Sequence, residues 1–194
     1  LDRAEAMHRK ALTIDEKLGW QEGVARDYGN LGLIYRTRGE LDRAEEMLRK
    51  ALDIYQKLGS QEGMANQYGN LGLIYRTSGD LERAEELLLK ALDIDQKLGQ
   101  EDRIAIQYGN LGVIYQTRGD LNLAEEMHRK ALDINERFGQ KVGIANQYGN
   151  LGLIYRMRGD LDRAEQMHRK ALEMDERLGR AEGMASQYGN LGLI

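Results

Sequence analysis

The stretch Tyr68-Gly69-Asn70-Leu71-Gly72-Leu73-Ile74-Tyr75 decides how the rest of the chain is read. It stands again at residues 28–35 and 148–155. At 108–115 it carries Val113 in place of leucine, and at 188–194 the sequence stops before the second tyrosine. Each copy begins 40 residues after the last, with nothing inserted or lost. A fixed period of this size marks stacked supersecondary units, because each unit buries its apolar face only against its neighbours.

Working outward, residues 1–18 read as a helix. Leu1, Ala4, Met7, His8, Ala11, Leu12, Ile14 and Leu18 recur at steps of three and four. Gly19 follows as a stop signal. Copies of this B-type helix lie at 41–58, 81–98, 121–138 and 161–178, each followed by glycine. Their outer faces pair acid and base four apart, as in Glu45 with Arg49 and Glu46 with Lys50. Such pairs support an exposed helix by a few tenths of a kcal/mol, on the order of 0.2–0.5 each.

The quoted stretch itself lies in a second, A-type helix. Its first copy covers 21–38, with Val24, Ala25, Tyr28, Leu31, Leu33, Ile34 and Tyr35 as the apolar set. Gly39, Gly79, Gly119 and Gly159 end these helices, and Asp80, Asp120 and Asp160 then stand at N-cap positions. Glu40 is a poorer cap at the first such turn. The turns are short, so neighbouring helices run antiparallel. Each A helix also carries two interior glycines, such as Gly29 and Gly32. Each costs about 0.8–1 kcal/mol against alanine. The repetition of that cost predicts the close approach of another backbone.

Composition narrows the function classes. Charged residues are 31% of the chain and hydrophobic ones 41%, which suits an ordered, water-facing protein. The net charge of −4 argues against a nucleic-acid or polybasic membrane surface as the main partner. Cysteine is absent, which excludes disulfides, thiolate nucleophiles and cysteine zinc sites. No apolar run approaches the roughly 20 residues needed to span a bilayer. The expectation is a cytoplasmic, non-catalytic protein with no cofactor. His8, His128 and His168 share one B-helix position, occupied by Leu48 and Leu88 in the other copies, so they read as packing residues. Gly69-Asn70-Leu71-Gly72 follows no strand and lacks the lysine of a phosphate loop. Trp20 reads as a half-exposed turn residue. Phe138, replacing a leucine at a B-helix end, is expected in the core.

Leu71, Gly72, Ile74, Tyr75, Gly79, Ala84 and Ala91 together resemble the tetratricopeptide repeat (TPR), and the same set recurs in phase along essentially the whole chain. Gly72 matches the small residue where the two helices touch, and Ala84 and Ala91 match the small residues of the B helix. The common TPR has 34 residues and a proline ending its B helix. The longer, proline-free form here is similar to the repeats of the LGN/Pins adaptors and kinesin light chains. The resemblance implies an all-α, right-handed superhelix (α-solenoid) of antiparallel helix pairs, with A helices lining a concave face.

The same resemblance implies a ligand site. Asn30, Asn70, Asn110, Asn150 and Asn190 would form a ladder along the concave face. In long-repeat relatives a matching asparagine bonds the backbone of an extended peptide. A side-chain amide suits this, having both donor and acceptor. The alternative is that these asparagines cap or bridge neighbouring helices. Gly29 and its equivalents would keep the groove floor low. Leu33, Leu73, Val113 and Leu153 form an apolar strip beside the ladder, and Arg36, Arg76 and Arg156, interrupted by Gln116, lie a turn further on. These would suit an extended peptide with acidic and apolar side chains. Solvated arginines at helix C-termini are the competing reading. The lysine and asparagine of the chaperone-binding carboxylate clamp would fall on Gly29 and Leu33, so that activity is not expected.

The expected domain is one solenoid over 1–194, in units 1–40, 41–80, 81–120, 121–160 and 161–194, forming a slice of a longer array. Apolar faces at both ends predict head-to-tail stacking of residues 183–194 of one copy on residues 1–18 of the next. The favoured function is a scaffold that holds an extended peptide or partner segment. The rivals are a self-assembling or designed array without a ligand and a peptide-sensing regulatory module.

Overall fold

A computed structural model describes residues 1–194. The chain is all α, with ten helices and no strand: α1 Asp2–Leu18, α2 Gln21–Thr37, α3 Leu41–Leu58, α4 Gln61–Ser78, α5 Leu81–Leu98, α6 Glu101–Arg118, α7 Leu121–Arg137, α8 Lys141–Met157, α9 Leu161–Leu178 and α10 Ala181–Leu191. Odd-numbered helices are the B type and even-numbered ones the A type. Two compact units result, Leu1–Gly99 and Gln100–Ile194. In the first, α2 packs on α3 and α4 on α5, with smaller contacts between α1 and α2 and between α3 and α4. The second repeats this with α6 on α7 and α8 on α9, joined through α7 with α8 and α9 with α10.

Every turn is made by a glycine at positive φ, from Gly19 at 68° to Gly179 at 66°. No other residue type has positive φ. Glycine takes this left-handed state at no steric cost, which is why helix ends are so well marked in the sequence. Capping is less regular. Asp80 and Asp160 accept from the backbone N–H groups of Arg83 and Arg163, and Ser60 accepts from Gly63 N. Asp120, expected to do the same, makes no side-chain cap bond.

The core lies between A and B helices. Ala44, Ala51, Ala84, Ala91, Ala124, Ala131, Ala164 and Ala171 are fully buried, as are Leu48 and Leu88. In the first unit Leu31, Tyr35, Leu52, Leu71 and Ile74 complete this layer. An added Cβ on Gly32 would lie 2.7 Å from Leu48 Cδ2 and 3.2 Å from Ala44 O. On Gly72 it would lie 2.8 Å from Leu88 Cγ. The expectation of a backbone against these glycines is therefore corrected: the space is filled chiefly by the leucine side chain, with the alanine carbonyl behind it. A third glycine, at Gly23, Gly63, Gly143 and Gly183, makes room for Asp15, Tyr55, Asn135 and Asp175.

Phe138 departs from its expected place and is 53% exposed. It stands at the C-cap of α7, a B-helix end position that is also exposed at Leu18, Leu58 and Leu98, and its ring lies under the Arg137 guanidinium at 5.6 Å. Trp20 is 47% exposed and stacks against Arg26 at 4.9 Å.

Candidate functional site

Each A helix has three uses for its circumference. In α2, Leu31, Gly32, Ile34 and Tyr35 are buried, and α2 packs on α3. Gly29 turns toward the next A helix, where an added Cβ would lie 3.4 Å from the Gln67 amide. That leaves Asn30, Leu33 and Arg36, all half-buried, at three-residue steps along one remaining strip.

In the first unit this strip is Asn30, Leu33 and Arg36 of α2 beside Asn70, Leu73 and Arg76 of α4, all half-buried. Neither arginine has a carboxylate partner, although Arg9, Arg38, Arg43 and Arg49 of the same unit are all ion-paired. Arg36 Nη1 is buried and has no hydrogen-bond acceptor. Burial, with the like charge of Arg36, holds the Arg76 guanidinium below its ordinary pKa range.

In the second unit the strip opens into two recesses of about 380 Å³ each. One is walled by Ile106, Asn110 and Val113 of α6 and by Val142, Asn146 and Asn150 of α8. The other has Asn150 and Leu153 on one side and Ser186 and Asn190 on the other. Gly109 lines the first recess and Gly149 the second, and both also leave room for the glutamine of the following A helix, at 3.2 and 3.1 Å. Arg180 closes one end of the second recess, donating to Asp175 Oδ1 at 2.9 Å and to Asn146 Oδ1 at 3.2 Å. Arg156 is half-buried, and Gln116, which breaks the arginine row, contacts Met157 Sδ at 3.5 Å.

None of Asn30, Asn70, Asn110, Asn150 and Asn190 makes a side-chain hydrogen bond within the chain. The reading in which they cap or bridge helices therefore has no bond behind it. Ten donor hydrogens and five carbonyl oxygens face the strip unused.

Two side-chain sets were not anticipated. The first pairs the buried histidines with the residue nineteen positions on. His128 Nδ1 lies 2.8 Å from Gln147 Oε1, and His168 Nδ1 lies 2.9 Å from Gln187 Oε1. With the amide oxygen accepting, Nδ1 carries the proton and Nε2 is a buried lone pair without a donor. Burial pushes both imidazoles below the usual histidine range. In the first repeat His8 meets Asp27 Oδ1 instead, at 3.0 Å. The clue in the sequence was His at 8, 128 and 168 matched to Asp or Gln nineteen residues later. The second set ties A to B helices on the far side. Tyr35 donates to Glu5 Oε1 at 2.8 Å and accepts from Arg9 at 2.7 Å. Tyr75 with Glu45 and Arg49, and Tyr155 with Glu125 and Arg129, repeat the arrangement. Glu5 also pairs with Arg38, and these donors hold its carboxyl down at about 2.

The tetratricopeptide repeat family model matches residues 1–57, 28–97, 63–137 and 102–177. The chain belongs to the tetratricopeptide repeat family. Solved TPR-type structures resemble it along most of its length. BtubC (BKLC) from P. vanneervenii superposes with a TM-score of 0.85 at 24% identity, over 99% of this chain and 82% of that one. The nearly identical TPR-like repeats of a kinesin light chain-type protein from Podosopora anserina give 0.73 at 18%, over 93% and 89%. The signal-transduction ATPase PH0952 from Pyrococcus horikoshii, which has a TPR sensor, gives 0.80 at 19%, over 88% of this chain and 27% of that one. At these identities the likeness is one of fold. No curated protein matches the sequence. No helix of this TPR chain is long and apolar enough to cross a membrane.

Proposed function

We propose that this TPR chain is a non-catalytic, cytoplasmic scaffold that holds an extended peptide or partner segment along its A-helix strip. The observation that carries the reading is the set of five half-buried asparagines with unspent amide groups. An extended peptide presents alternating N–H and C=O groups that such amides satisfy two at a time. Leu33, Leu73, Val113 and Leu153 would contact apolar side chains, and Arg36, Arg76 and Arg156 acidic ones. The fold family is built for protein interaction, and a structural neighbour uses its repeats as a sensor. The five units are taken as one solenoid domain.

Binding of an unbiased peptide library to the wild type and to an Asn70→Ala/Asn110→Ala variant tests this. Loss of four hydrogen bonds at roughly 0.5–1.5 kcal/mol each predicts at least a tenfold weaker affinity. Helicity should stay unchanged. A library that binds wild type and variant alike would remove the asparagines from the site.

A second reading concerns self-association of residues 1–18 with residues 183–194 of another copy. Leu1, Ile14, Leu18 and Leu193 are each more than half exposed there. Light scattering should then give a mass that climbs with concentration, and a strict monomer at high concentration refutes it.

A further inference from the structure

We propose that the strip of the first unit receives one phosphoryl group, borne on the bound peptide, between Arg36 and Arg76. The inference rests on the peptide-groove reading and narrows its ligand. Arg36 and Arg76 occupy the same register on α2 and α4, helices that contact one another. They are half-buried, and no carboxylate lies within ion-pair distance of either. The chain carries 32 acidic residues against 28 lysines and arginines, so this exception does not come from a shortage of acid. Other arginines of the same unit are matched, Arg9 to Glu5, Arg43 to Glu40 and Arg49 to Glu45.

Two like charges held side by side call for one group of opposite charge. Arg36 Nη1, buried without an acceptor, shows the demand in atomic terms. A carboxylate brings one charge and two oxygens, enough for a single fork. A phosphomonoester brings about −1.5 to −2 charges and three acceptor oxygens, enough for two forks. Arginine's planar donor set suits that geometry. The free amides of Asn30 and Asn70 lie on the same strip and can hold the peptide backbone on either side. The second unit lacks the arrangement, because Gln116 stands where a second arginine would be and Arg156 is alone. Phosphoryl recognition should therefore belong to the first unit.

Peptide libraries with a fixed central phosphoserine, serine or glutamate and randomised flanks test this against the whole chain, with inorganic phosphate as competitor. The phosphoserine library should bind at least about tenfold tighter than the serine one, the size expected of hydrogen bonds to a charged group. Arg36→Gln and Arg76→Gln should each abolish that preference with helicity unchanged. Arg156→Gln should leave it intact. Inorganic phosphate should compete only with the phosphorylated library. Equal binding of phosphoserine and serine libraries overturns the inference and leaves the groove standing. Glutamate binding as tightly as phosphoserine overturns it in favour of a carboxylate site. A preference that survives both arginine substitutions places the site elsewhere and overturns it as well. If no library binds, the groove reading falls and takes this one with it.

Discussion

One methyl group added at Gly29 or at Gly32 separates two glycines that look alike in the sequence. At Gly32 the new carbon would sit 2.7 Å from the Leu48 side chain, which is fully buried and has nowhere to go. Overpacking of this kind costs about 1–3 kcal/mol, against a gain of roughly 0.8–1 kcal/mol in helix propensity. Gly32→Ala should thus lower the urea midpoint. At Gly29 the nearest atom is 3.4 Å away, an ordinary contact. Gly29→Ala should be neutral or stabilising by up to about 1 kcal/mol. The sequence showed that each glycine needed a reason but not which one, because the neighbour that fills the space lies sixteen residues on for Gly32 and thirty-eight for Gly29. Phe138 failed for a related reason. Its B-helix position was read correctly, but that position faces solvent in other repeats as well, at Leu18, Leu58 and Leu98.

At the scale of the element, boundaries were legible to within about a residue, because left-handed glycines fix every turn. Caps were less so. Asp80, Asp120 and Asp160 occupy equivalent positions, yet only the first and third use their carboxylates on the helix N-terminus. Asp120 is exposed where the others are half-buried, and sequence spacing carries no information on that rotamer. Asp80→Ala should therefore cost about 1 kcal/mol in urea denaturation, while Asp120→Ala stays within about 0.5 kcal/mol. Equal losses at the two positions would mean that the dipole, not the hydrogen bond, is what the aspartates serve.

Across the whole molecule, two buried histidines and the ion-paired Glu5 predict an acid response in two windows. His128 and His168 have folded-state pKa values below the unfolded value of about 6.5. The unfolded chain then binds more protons in that window, so stability is complete above pH ~6.5 and falls as the pH drops through it. Glu5 titrates at about 2 in the folded chain instead of 4.5, so its contribution is kept above pH 4.5 and lost on the way down to 2. Both of these histidines sit on helices of the second unit, α7 and α9. Amide exchange at pH 5.5 should show α7–α10 losing protection before α1–α4. His128→Leu/His168→Leu, which copies the Leu48 and Leu88 repeats, should erase the first window and keep the second. The histidines were correctly read as packing residues. That they donate to glutamines was not legible from one helix, since the partner sits on the next. For the asparagines, spacing and chemistry could be read, but only the fold shows that nothing within the chain uses their amides.

The Gly32–Leu48 and Gly72–Leu88 contacts have nearly the same geometry, 2.7 and 2.8 Å to an added carbon. Excising residues 41–80 would set Leu88 sixteen positions after Gly32, the spacing that Leu48 has now. At this contact the two repeats are interchangeable parts. A gene of this pattern can gain or lose 40-codon blocks by in-phase crossing-over without breaking this contact, while changing how many asparagines, and which arginines, the product offers to a ligand.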